Sequence, residues 1–135
     1  MSKLGCKCGH TIVDQEDSLS HKAQLIPDKC FDEFFDRIEL AIKELIEATK
    51  NGKREDWIKK NFSVPPYPMD LREEQMIDDI FGNYYFDLSK DVLQCEKCGR
   101  IYVEKENNRF ISFLPEDDNW KDILSKKGAN LENNA

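Results

Sequence analysis

Long apolar runs are missing from this chain. Its longest uninterrupted hydrophobic stretches are a few residues, far short of the roughly 20 that a membrane-spanning helix needs. The opening residues, MSKLGCKCGH, hold no apolar core of the kind that directs secretion. Both absences lead us to expect a cytoplasmic protein whose thiols stay reduced. Histidine is scarce, with only His10 and His21 in 135 residues. Metalloprotease H-E-x-x-H, deaminase H-x-E with P-C-x-x-C, P-loop and G-x-G-x-x-G patterns are all absent. No catalytic constellation can be assembled, so the chain is expected not to be an enzyme and not to take a small-molecule substrate. Basic residues are outnumbered, 20 Lys and Arg against 27 Asp and Glu, for a net charge of −7. Nucleic-acid binding relies on cationic side chains neutralising phosphates, so the balance disfavours it.

What is present suits one domain with an ordinary core: 39% hydrophobic and 35% charged residues. The densest basic stretch, KNGKREDWIKK, reads as a solvated helix end. The stretch LREEQMIDDIFGNYYFDLSKD is its opposite, with six acids against Arg72 and Lys90. Acids interleaved with aromatics suit a cationic protein partner, and Glu74, Asp78, Asp79, Tyr84 and Asp87 are the candidate contacts.

Hydrophobic periodicity places two main helices in the middle of the chain. In DKCFDEFFDRIELAIKELIEATKNG, Phe31, Phe34, Phe35, Ile38, Ile42, Leu45 and Ile46 recur at three- and four-residue spacing. Asp28 is the expected N-cap, and Gly52 is suited to the left-handed residue that ends the helix. A shorter helix, REDWIKKNF, precedes the extended link SVPPYP. A second main helix is expected from Asp70, capped through Asp70 and Glu73, with Ile77, Ile80, Phe81, Tyr84 and Tyr85 inward. On either side the pattern turns to strands: a hairpin over residues 3–14, then VLQC, RIYVEK and RFISFLP. A tight Asn turn joins the last two. DQEDSLSHKAQLIP reads as a polar connector, DDNWKDILSKK as a short final helix on Trp120 and Ile123, and residues 128–135 as a disordered tail.

The cysteines carry the chemistry. Cys95 and Cys98 form C-x-x-C followed by Gly99 between two strands, the spacing by which one tight turn presents two thiolates to a tetrahedral ion. Cys6 and Cys8, as C-x-C-G, make a knuckle one residue shorter. Each pair is half of a four-ligand site, and thiolate-only ligation favours zinc over calcium or magnesium. The expected ligands are therefore Cys6, Cys8, Cys95 and Cys98 around a structural zinc that ties the two ends of the chain together. His10 is the alternative ligand, though a surface strand position accounts for it as well, and His21 is expected at the surface. Cys30, the odd fifth cysteine, reads as a small half-buried hydrophobe.

The segments GCKCGHTIVDQEDSLSHKAQLIPD and LQCEKCGRIYVEKENNRFISFLPE resemble a group of small bacterial proteins in which a C-x-C-G start and a C-x-x-C-G-R-[IL]-Y-V segment frame a helical middle. In size and acidity the chain is also similar to immunity proteins of contact-dependent inhibition and polymorphic toxin systems. The resemblance implies a partner that is a cationic toxin domain. The combined expectation is an α+β fold: a small antiparallel sheet whose zinc-ribbon-like site joins N- and C-terminal hairpins, packed against a helical segment. It forms one zinc-stabilised domain over 1–127, with a helical insert at about 28–87. The function expected is a non-enzymatic binding protein that neutralises a bacterial toxin. The alternative is a zinc-ribbon adaptor for nucleic acid or transcription machinery, carried by Lys7, Arg100 and Tyr102.

Overall fold

The fold is that of a computed structural model, which describes residues 2–62, 65–66 and 68–125. The expected tail at 128–135 and three residues of the SVPPYP link lie outside these. The chain is α+β, and by its contacts it divides into two compact units. One comprises Met1–Leu25 with Lys90–Ala135, and the other Ile26–Ser89.

The first unit carries the strands. β1 (Ser2–Gly5) and β2 (Thr11–Asp14) form an antiparallel hairpin in which Leu4 faces Ile12. A separate four-stranded antiparallel sheet runs in the order β3 (Lys22–Leu25), β4 (Lys90–Gln94), β5 (Ile101–Glu106), β6 (Arg109–Phe113). Strand alternation puts Leu93 and Tyr102 on one face, where they meet Ile12, Cys6 and Cys95 in a buried cluster. The turn between β5 and β6 has Asn108 at φ 59°, the left-handed conformation that asparagine tolerates.

β3 corrects the reading of that segment as a connector. HKAQL has no clear alternation, but its backbone completes the edge of the sheet along β4. There Gln24 donates to Asp91 Oδ1 at 2.6 Å, and Lys22 reaches Asp14 at 2.9 Å. The expected final helix is also absent among the described residues of its segment. Residues 119–124 form successive turns, and Asp122 at φ 59° breaks any helical run through Ile123.

The second unit is helical: α1 (Asp28–Lys50), α2 (Arg54–Asn61) and α3 (Glu73–Leu88). Phe34, Ile38, Ala41 and Leu45 follow one another every three or four residues along α1. With Trp57 and Ile58 of α2 and Met76 and Ile80 of α3 they make its core. The apolar stripe of α1 is wider than its partners cover, so Phe31, Phe35 and Ile46 stay exposed. Both caps move from their expected positions. Pro27 precedes α1, with Asp28 already its first residue, and α3 starts only at Glu73. Asp70 sits in a turn. The Arg72 N–H is satisfied instead by the Gln75 side chain at 2.9 Å.

Candidate metal centre

Both cysteine pairs sit in turns between antiparallel strands, and the two turns are built alike. In the second, the Cys95 N–H donates to the Arg100 carbonyl at 2.8 Å and the Gly99 N–H to the Cys95 carbonyl at 2.9 Å. In the first, the Cys6 N–H donates to the His10 carbonyl at 2.8 Å and the Gly9 N–H to the Cys6 carbonyl at 2.9 Å. Each bond of the first turn spans one residue fewer, which is how C-x-C-G closes the loop that C-x-x-C-G closes elsewhere. Gly9 and Gly99 stand at φ 98° and 83°, backbone open to glycine and strained for other residues. Gly99 has a second constraint. A Cβ there would lie 2.4 Å from the Trp120 ring, so the indole packs directly on the turn.

The four expected ligands come together. The Sγ atoms of Cys6, Cys8, Cys95 and Cys98 all lie within 4.8 Å of one another. Two pairs, Cys6 with Cys98 and Cys8 with Cys95, are 3.6 Å apart, and each joins one turn to the other. All four thiols are free. At about 2.05 Å a disulfide is far shorter than these separations. A tetrahedron with metal–sulfur bonds of about 2.3 Å has edges of about 3.8 Å, which the spacing approaches. The donor set therefore fits a tetrahedral thiolate-bound ion.

Electrostatics point the same way. Burial opposes ionisation of Cys6, but hydrogen bonds from the Cys8 N–H, the Tyr102 hydroxyl and the Cys8 and Cys98 thiols outweigh it, and the thiol is lowered to about 6. Burial pushes the Cys95 thiol up to about 12, and its neighbours Cys6 and Cys8 add to the rise against N–H bonds from Cys98 and Lys97. One thiolate is stabilised here and a second is resisted. Four thiolates could share so small a volume only with a cation among them.

The surroundings hold the turns in register. Tyr102 is buried, and its hydroxyl accepts the Lys7 N–H at 3.1 Å, linking β5 to the opposite turn. Arg100 Nη1 lies 3.7 Å from Cys98 Sγ and places positive charge beside the sulfurs. Gln94, also buried, donates to the Trp120 and Gly99 carbonyls at 3.2 and 3.4 Å. Gln94 and Trp120 carry no motif, and only the fold reveals their part in the centre.

A family model described as a domain of unknown function (DUF8617) matches residues 2–117. The chain belongs to the DUF8617 family. No curated protein and no solved structure matches it. The match spans both cysteine turns and the helices between them, so all four thiols of this DUF8617 chain lie within the family's extent.

The remaining candidates of the DUF8617 chain are placed differently. His10 Nε2 is 3.4 Å from Glu96 Oε1 and stands outside the thiol cluster. His21 is more enclosed than a surface residue, its side chain 11% exposed. Its Nε2–H donates to the Val13 carbonyl at 2.7 Å. Cys30 is half-buried in the first turn of α1. The five acidic and aromatic candidates of α3 differ in exposure and in partners. Glu74, Asp78 and Asp79 are exposed, with Glu74 3.3 Å from Arg72. Tyr84 is half-buried against the helical core, with Arg37 over its ring at 5.8 Å, and Asp87 is bound to Arg37 at 2.8 Å. Among the described residues no helix is long and apolar enough to cross a membrane.

Proposed function

We propose that this chain is a non-enzymatic binding protein, stabilised by a structural zinc on Cys6, Cys8, Cys95 and Cys98, that captures a cationic protein partner. The observation that carries the proposal is the cluster of four cysteine sulfurs, all within 4.8 Å of one another. Four thiolates complete a tetrahedron and leave no position for a water or a substrate, which separates a structural site from a catalytic one. Zinc is the ion that best suits four cysteine ligands in this geometry. The net charge of −7 and the exposed acids of α3 support a basic partner, met by electrostatically steered association. Small size, acidity and the framing cysteine turns favour an immunity protein that neutralises a bacterial toxin domain in the cytoplasm.

The adaptor reading has less to draw on. Of its three residues, Tyr102 is buried and Arg100 is turned to Cys98, so only Lys7 of the set is exposed. The test is purification from native cells at low salt with metal analysis, followed by co-expression of any stoichiometric partner. The expected result is about one zinc per chain, a basic protein released by salt, and relief of that protein's toxicity by this chain. A purified complex with nucleic acid in place of protein, or a partner whose toxicity is unrelieved, would overturn it.

A further inference from the structure

The two flanks of the α1–α3 pair differ in chemistry. On one flank Arg37 of α1 reaches Asp87 at 2.8 Å and Glu33 at 2.6 Å and covers the Tyr84 ring, a polar seam in which two carboxylates share one guanidinium. Ring contacts mark the other. Phe31 meets Phe35 at 5.0 Å, Phe35 meets Phe34 at 5.6 Å, Phe34 meets Tyr85 at 6.3 Å, and Tyr85 meets Phe86 at 5.6 Å. This aromatic chain crosses from one helix to the other, yet Phe31, Phe35 and Phe86 are about half exposed or more, at 47%, 50% and 73%. Three rings half exposed or more, linked through buried Phe34 and half-buried Tyr85, are unusual on a protein surface unless something covers them.

The charge beside the rings says what kind of partner that is. On α1, Asp32 and Glu39 lie three and four residues from Phe35, and so flank it on the helix surface. On α3, Asp78 stands one turn before Phe81, which is itself 43% exposed. Among the described residues none of these three acids has a cationic side chain within salt-bridge distance, whereas Glu33, Glu73, Glu74 and Asp87 each have one. The result is an apolar strip with an unneutralised acidic border. It suits a helix whose apolar stripe meets the rings and whose Lys or Arg residues reach the acids.

We infer that the α1–α3 flank bearing Phe31, Phe35, Phe81 and Phe86, bordered by Asp32 and Asp78, is the docking surface for an amphipathic basic helix of a partner protein. This rests on the reading of the chain as a captor of a cationic protein and assigns the surface that does it. The assignment shifts the contact from α3 alone to both helices, and it removes Tyr84 and Asp87, which serve the opposite flank.

The test uses the full zinc-loaded chain and a labelled synthetic peptide of about eighteen residues, with leucines at helical spacing and lysines elsewhere. Fluorescence anisotropy should show saturable binding that weakens as salt rises. A scrambled peptide of the same composition, and the F31S/F35S variant, should each bind about tenfold more weakly or worse. Phe31 and Phe35 are largely outside the core, so that variant should melt near the parent. The D32N/D78N variant leaves the rings intact and should lose affinity mainly at low salt. Equal binding by the scrambled peptide, or unchanged binding by both variants, would overturn the proposal. So would a dimer of this chain that F31S/F35S abolishes, which would assign the strip to a second copy. The two claims fail separately. Toxicity relief that survives F31S/F35S removes this surface and leaves the captor reading standing. Absence of relief by the parent chain removes that reading.

Discussion

Gly9 and Gly99 occupy equivalent places in the two cysteine turns, and comparing them separates backbone strain from packing. Both hold positive φ, so alanine at either costs on the order of 1–2 kcal/mol for the left-handed conformation alone. Gly9 faces open space, whereas a methyl group at Gly99 collides with the Trp120 ring. Gly99→Ala should therefore lower the melting temperature clearly more than Gly9→Ala. Equal shifts in a thermal melt would mean that the indole does not seat on the turn. A second residue-level expectation concerns Lys22. Burial pulls its ammonium down, but the bond to Asp14 and the charges of Asp91, Asp14 and Asp17 outweigh it and raise it above its ordinary value. A folded-state pKa that is raised gives stability present below the unfolded value, near 10.5, and lost as pH climbs through the folded one. Urea midpoints of the parent and Lys22→Met should thus differ at neutral pH and converge in strong alkali. A constant gap would rule the pairing out.

Among the elements, α3 shows where local preference and tertiary demand part. Gly82 lies inside it, an added methyl group there would meet nothing within 4 Å, and its φ is not positive. Gly82→Ala should stabilise the protein by about 0.5–1 kcal/mol, since it removes backbone freedom from the unfolded chain without a clash. Ile38, buried in the helical core, should behave in the opposite sense, with Ile38→Ala costing about 2–5 kcal/mol. Chemical denaturation of the two variants checks both signs. The existence of α1 and α3 was legible in three- and four-residue periodicity, because each buries one stripe. Their starts were less so. Asp28 and Asp70 are good capping residues, but Pro27 and the turn before Arg72 set where the helical backbone begins. β3 was illegible because an edge strand pairs through its backbone, and KAQL has no face apolar enough to betray it.

At the scale of the whole molecule, each unit has its own core and its own tryptophan. Trp57 is buried in the helical core, and Trp120 covers the Gly99 turn. Structural zinc sites contribute apparent binding energies on the order of 10 kcal/mol at neutral pH, much of it as folding energy. At the proposed zinc site that energy would act on a core formed by Cys6, Ile12, Leu93, Cys95 and Tyr102, while none of the four clustered cysteines belongs to the core of the helical unit. Chelation should therefore change Trp120 fluorescence in a Trp57→Phe variant first. Trp57 in a Trp120→Phe variant, and most helical ellipticity, should persist longer under the same treatment. Simultaneous loss of both signals would show that the units unfold as one, and loss of neither would remove the structural role of the metal.

The clustering of the four cysteines was readable from spacing alone, because two cysteines and a following glycine between strands are a local pattern that folding only has to bring together. The α+β class was readable for a similar reason, since period-two and helical patterns occupy separate stretches of the chain. Other features depend on neighbours that are distant in sequence. Trp120 meets Gly99, Tyr102 reaches Lys7, and Arg37 matches Asp87 on one flank while the rings of Phe31 and Phe35 are left uncovered on the other. Which polar groups find a partner, and which aromatic rings go without cover, depends on how helices and strands pack, and no local pattern encodes that.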